Sequence, residues 1–248
     1  MRILLINPNI SDSVSTLIRD EAVRSASSGT QIEVATAAFG VAYIETRFEA
    51  MIGAHAAAER AAELEGSYDA VVVAAFGDPG LLALREVLSC PVTGLTEAAL
   101  ASAILLGQRF SIVAISQRIR AWYRETVDAY GLGSRLCSIR ALDEPLADIG
   151  SVQADQGKRL VALANRCVTE DGADVIILAG APLAGLSRTV RDQLPVPVVD
   201  GVSSAVQHVE TLFALNPVAT RAGSFAPPPI KPNKGLSPAL VRLLGRKA

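Results

Sequence analysis

Short β-branched runs alternate with alanine-rich segments of helical period from one end of the chain to the other, and this alternation constrains the fold more than any other feature. Strands buried on both faces read as continuous apolar runs, and parallel strands need a helical crossover between them. The pattern predicts an α/β protein whose parallel strands are covered by helices. Strands are expected at Arg2–Asn7, Gln31–Ala37, Ala70–Ala75, Val92–Gly94, Phe110–Ile115, Leu136–Leu142, Val175–Ala179 and Pro197–Val199. The first helix should begin near Ser11 or Asp12, either of which can cap it, and stop before Gly29; the second should run from about Arg47 to Leu64.

Sliding the chain against itself by 105 to 106 residues aligns VVVAAFGDPG (71–80) with IILAGAPLAG (176–185) and CPVTGLTEAA (90–99) with VPVVDGVSSA (196–205). Each copy reads as strand, glycine-bearing turn, helix, short proline-initiated strand, turn and helix, which predicts a duplicated α/β unit. Residues 1–95 with 201–218 are expected to form one half and 96–200 the other, with a Pro/Gly-rich tail over 219–248. Three consecutive prolines cannot continue a helix, so the tail either wraps this domain or a neighbouring subunit or stays disordered. Two like halves create a cleft, and ligands of open α/β sheets sit beyond the carboxyl ends of the strands.

Composition narrows the chemistry. Half of the 248 residues are hydrophobic, which excludes disorder as the main state, and 23 basic against 25 acidic residues leave a net charge of −2. That balance offers no field for nucleic acid or an anionic membrane, so a small-molecule partner is expected. No run of about 18 apolar residues suggests a spanning helix, and the N-terminal MRILLINPN lacks the stretch of a signal peptide. Cys90, Cys137 and Cys167 are odd in number and widely spaced, which points to reduced thiols and the cytoplasm. With two histidines, neither at metal-ligand spacing from another donor, no metal is expected.

The residues after each strand are the candidates. Asn7-Pro8-Asn9 precedes a serine-rich helix start, where amides and free N–H groups suit an oxyanion or carboxylate, although these are also ordinary turn formers. Phe39 and Tyr43, with Glu45, share one loop and suit the wall of a planar or apolar ligand. Phe76-Gly77-Asp78-Pro79-Gly80 and its counterpart Gly180-Ala181-Pro182 allow close backbone approach; neither is a nucleotide-phosphate loop, so no cofactor is implied. Ser116 stands in the second half where Asn9 stands in the first. Asp200-Gly201-Val202 closes a further strand.

Together INPN, the I-E-x-x-F of Ile44, Glu45 and Phe48, FGDPGLLALRE, the EAA of Glu97–Ala99, RFSIVA and VDGVSSAV resemble the hydantoin and allantoin racemase branch of the aspartate/glutamate racemase superfamily. The resemblance implies two flavodoxin-like halves about a pseudo-twofold axis, a homo-oligomer, and isomerisation at an α-carbon without cofactor or metal. It further implies two cysteines, one from each half, that remove and return the α-proton from opposite faces. The corresponding positions here are Ala75 and Gly180, so that two-thiol mechanism cannot operate as written. Burial is expected to leave Cys137 and Cys167 inert, and Cys90 precedes its strand.

Three readings remain open. In the first, a racemase or epimerase uses the carboxylates of Asp78 and Glu45 as bases, while Asn9, Ser116 and the N–H groups following Ala75 and Gly180 hold the substrate's oxygens. Asp78 reads equally as a helix cap beside Pro79. In the second, the scaffold hydrolyses a cyclic amide or decarboxylates an acid with one carboxylate base. In the third, a binding protein keeps the pocket without the chemistry.

Overall fold

The computed structural model describes residues 1–143 and 148–245. Among the described residues eight strands form two parallel sheets of four. The first comprises β1 (Arg2–Asn7), β2 (Gln31–Thr36), β3 (Ala70–Val73) and β4 (Val92–Gly94) in the order β2-β1-β3-β4. The second comprises β5 (Phe110–Ala114), β6 (Leu136–Ala141), β7 (Val175–Leu178) and β8 (Val198–Asp200) in the equivalent order β6-β5-β7-β8. Right-handed crossovers are the rule for such units, and their helices cover the sheets. These are α1 (Asp12–Ser25), α2 (Arg47–Glu63), α3 (Leu81–Val87), α4 (Leu95–Leu106), α5 (Arg120–Ala129), α6 (Val152–Thr169), α7 (Leu186–Val190), α8 (Gly201–Leu215) and α9 (Pro238–Leu244).

The expected elements are present, with shorter strands. β3 stops at Val73 rather than Ala75 because its neighbour β4 ends at Gly94, the partner of Val73. Likewise β7 ends at Leu178, paired with Asp200, and β8 is displaced to Val198–Asp200. The released residues, Ala74–Gly80 and Ala179–Gly185, are the turns where the chain leaves the sheets.

The repeat persists in backbone detail. Ala74 N donates to Ile6 O at 2.8 Å, and Ala179 N donates to Val113 O at 2.9 Å. Gly80 and Gly185 both enter the next helix in the left-handed conformation, at φ 80° and 77°. The helices α4 and α8 cross over: α4 follows the first sheet but lies against β7 and β8, whereas α8 follows the second and lies against α1, β3 and β4. The two pack on each other, so one apolar core runs through both sheets.

The tail returns to its own domain. Ser237 caps α9 and donates from its hydroxyl to Glu59 of α2 at 2.6 Å, and Ala239, Leu240 and Leu243 are buried on that helix. Its last three residues, 246–248, lie outside the described residues.

Candidate functional site

At the end of β1 the Asn7 amide shapes the loop that follows. Its Nδ2 donates to Ser11 O at 3.1 Å and Ser15 Oγ at 2.9 Å, while its Oδ1 accepts from Asn9 N at 3.1 Å. Ser11 then caps α1. Asn9 is 5% exposed, and its Oδ1 is buried without a hydrogen-bond partner. Desolvating a carbonyl oxygen with no compensating donor costs about 1–3 kcal/mol, so such an atom marks a place where a ligand can bind. Ile10 N donates to Val41 O at 3.1 Å and ties this loop to the one carrying Tyr43 and Glu45.

The two glycine-bearing turns are built alike. Asp78 N donates to Ala75 O at 3.2 Å, and Leu183 N donates to Gly180 O at 2.9 Å. Among the described residues no hydrogen bond uses the N–H of Phe76 or Ala181, both buried. Helix α1 lies against the turn Ala181–Leu183, so the loop opening into α1 and the turn at Gly180 share one seam. Gly180 has φ 110° and ψ 143°, a conformation open essentially to glycine alone. The turn there is therefore shaped for the absence of a side chain.

Asp78 is the single described non-glycine residue at positive φ, 49°, a region that aspartate tolerates. Its carboxylate accepts from Thr96 N at 2.8 Å, Glu97 N at 2.9 Å and the Tyr130 hydroxyl at 2.8 Å. It thus caps α4, not the helix that follows Pro79. Gly94 makes this possible, because a Cβ there would stand 2.3 Å from Asp78 Oδ1. Burial is the largest influence and raises the Asp78 carboxyl to about 6, against the three hydrogen bonds that favour its ionised form.

Three aromatic residues of the α5 region reach across to the first half. The Trp122 indole lies over Gly77, and Tyr123 stacks on Phe76 with ring centroids 4.7 Å apart. Tyr130 holds Asp78. A Cβ on Gly180 would stand 3.9 Å from the Tyr123 hydroxyl, which brings Tyr123, Phe76 and Gly180 into one cluster. Burial, then the carboxylates of Asp78 and Glu45, push the Tyr123 phenol above its ordinary range. The Tyr43 phenol is raised by burial and by Glu45 beside it. Glu45 is half-buried, and its backbone N–H donates to the Glu49 carboxylate, which also accepts from Thr46 N and so closes the Thr46–Glu49 capping box at the start of α2.

Asn9, Tyr43, Glu45, Ala75, Phe76, Asp78, Gly180 and Ala181 therefore lie along connected loops at the carboxyl ends of the strands. Phe39 is turned away: it is 40% exposed and meets His55 of α2 edge-on at 5.2 Å. Ser116 follows β5 as Asn9 follows β1, but its hydroxyl accepts from Arg118 N at 3.2 Å and serves its own turn. Asp200 caps α8 and accepts from Ser187 at 2.5 Å. His208 pairs with Ser102 at 3.0 Å.

The thiols stand apart from this cluster. Cys167 is buried as expected; Cys137 is only half-buried, because it lies on the edge strand β6. Burial pushes Cys90 up to about 12 and raises the other two. Among the described residues no three His, Cys, Asp or Glu side chains converge as a metal ion would require.

Sequence reasoning missed Trp122, Tyr123 and Tyr130. A compositional signal was available: the chain has one tryptophan and four tyrosines, and three of these five fall within residues 122–130.

Comparison with known proteins gives a consistent result. The sequence model of the family described as Asp/Glu/Hydantoin racemase matches residues 3–209. The chain is 38% identical over 233 residues to the hydantoin racemase of Paenarthrobacter aurescens, covering 92% of this chain and 98% of that protein. It is 33% identical over 230 residues to the hydantoin racemase of Pseudomonas sp. (strain NS671), covering 92% of each. Among solved structures it is similar to allantoin racemase from Klebsiella pneumoniae, with a TM-score of 0.92 at 34% identity over 97% of this chain and 98% of that one.

Proposed function

Because the chain belongs to the Asp/Glu/Hydantoin racemase family, we propose that it is a cofactor-independent isomerase that removes and returns the α-proton of a small hydantoin-like substrate without thiols. The observation that carries this reading is the coincidence, in one seam, of the unpartnered Asn9 Oδ1 with the unused N–H groups of Phe76 and Ala181. The two N–H donors suit a carbonyl whose oxygen gains negative charge as the α-proton leaves, and the Asn9 Oδ1, an acceptor, suits a ring N–H of the substrate.

In this reading Ala75 and Gly180 occupy the positions of the two family thiols, and proton transfer falls to carboxylates. Glu45 takes the α-proton; it is the half-buried carboxylate of the cluster, and its neighbours Tyr43 and Tyr123 feel its charge. Asp78 is the second candidate base, with a carboxyl held near the pH at which proton transfer in either direction is efficient. The two backbone N–H groups, with the Asn9 Nδ2 beside them, hold the substrate's oxygens, Phe76 forms an apolar floor and Ser116 stands at its edge, while Phe39, turned to His55, takes no part. The division into residues 1–95 with 201–218 and residues 96–200 belongs to this reading, supported by the packing of α8 on the first sheet. So do a cytoplasmic location, supported by the unpaired cysteines, and a homo-oligomer, supported by apolar side chains exposed at Leu105, Leu106 and Leu215.

The test is α-proton exchange, followed by proton magnetic resonance, of 5-benzylhydantoin and allantoin in deuterated buffer. Exchange with loss of optical activity and no product of new mass is expected, and Glu45→Gln should slow it at least about a hundredfold. Gain of water or loss of carbon dioxide would replace isomerisation with hydrolysis or decarboxylation. Binding without exchange would leave a receptor.

A further inference from the structure

The side chain that answers Gly180 across the seam is Tyr123. Its ring is 3% exposed and is held by Phe76 at 4.7 Å and Trp122 at 5.7 Å, so its hydroxyl cannot swing far. That hydroxyl makes no hydrogen bond among the described residues. By contrast Tyr130 donates to Asp78, Tyr68 donates to Ala61 O at 3.0 Å, and Tyr43 leans on Glu45. The phenolic oxygen stands 3.9 Å from the point where a side chain on Gly180 would begin. The hydroxyl oxygen is not sealed from solvent, so it is a fixed donor that a ligand oxygen in the seam can engage in place of water.

We propose that Tyr123 is the side-chain hydrogen-bond donor of the second half's face of the cleft. It donates to a carbonyl oxygen of the substrate and binds that oxygen more strongly as it becomes an enolate. The inference rests on the α-proton chemistry proposed above. As the α C–H bond breaks, its proton passes to Glu45 and its electron pair moves onto the carbonyl oxygen, while the phenolic proton stays on Tyr123. Burial and the nearby carboxylates keep that phenol protonated throughout the working range, so it serves as a donor and not as a base. The face that lost a thiol side chain has gained an oxyanion donor from a different helix.

Tyr123→Phe removes the hydroxyl and keeps the stack on Phe76. We expect exchange of 5-benzylhydantoin to fall about a hundredfold in kcat, with KM within about threefold of the parent. The melting temperature should be unchanged, because the deleted hydroxyl has no protein partner and the ring stack is kept. An unaltered kcat would overturn the proposal, as would a loss of kcat matched by a loss of melting temperature. If the parent binds 5-benzylhydantoin in calorimetry without exchanging its proton, Tyr123→Phe must weaken that binding about tenfold, and equal binding overturns the proposal. If the parent neither binds nor exchanges it, the hydantoin reading falls and this inference falls with it.

Discussion

Gly180 and Ala75 occupy equivalent turns but present different problems to a side chain. Gly180 lies at φ 110°, where an L-residue is strained by about 1–3 kcal/mol, whereas Ala75 has no positive φ. Gly180→Cys should therefore lower the melting temperature by several degrees, and Ala75→Cys should change it little. Thermal unfolding of the two single variants checks this, and equal melting temperatures would mean that the turn at Gly180 relaxes to accept a side chain. At this scale the candidate site was partly legible. Asn9, Phe76 and Ala181 could be nominated because each follows a strand end that local patterning reveals. Tyr123 was not, because its place depends on how helix α5 packs against a turn 47 residues earlier.

Among the elements, α4 and α8 begin in corresponding places and satisfy their first amides by different means. Asp200 caps α8 from within its own chain segment, as sequence patterns anticipate for an aspartate before a helix. The first amides of α4 follow Gly94, which has no side chain to offer, and receive Asp78 from 18 residues upstream. A cap of that kind leaves no local trace, so the sequence points instead to the helix beside Pro79. The consequence is pH-dependent. The folded-state carboxyl of Asp78 is raised from 3.8 to about 6, so the folded protein binds the proton more tightly than the unfolded chain. Stability from this group is then full below the unfolded value and is lost as pH rises through about 6. The linked change is on the order of 3 kcal/mol. The stability of the parent relative to Asp78→Asn should fall across that window and level off above it, as read from urea unfolding at a series of pH values. A difference that does not vary with pH would place the Asp78 carboxyl in ordinary surroundings.

Across the whole molecule the halves are joined by packing and by a buried carboxylate. Glu21 of α1 has no exposed surface and accepts from Arg24 at 3.1 Å, Ser25 at 2.9 Å and, from the other half, Arg188 of α7 at 2.8 Å. Both arginines are more than 40% exposed, so they can turn to water when the carboxylate is lost, and the penalty is smaller than for a sealed pair. Glu21→Gln should cost about 1–2 kcal/mol. Trp122, the sole tryptophan, sits over Gly77 at the seam and reports on it directly. Its fluorescence should shift at lower urea in the variant; coincident curves would show that Glu21 does not help to hold the halves together.

The order of strands and helices, the duplication and the turns that follow the strands were determined by the sequence alone. They arise from hydrophobic period and turn chemistry, which act over a few residues and recur at a fixed spacing. The tertiary structure alone decided that Asp78 serves α4, that Phe39 turns to His55, that the tail docks on α2, and that Tyr123 faces Gly180. Each of these depends on contacts between residues distant in the chain, whose geometry is set by how the two sheets and their exchanged helices pack.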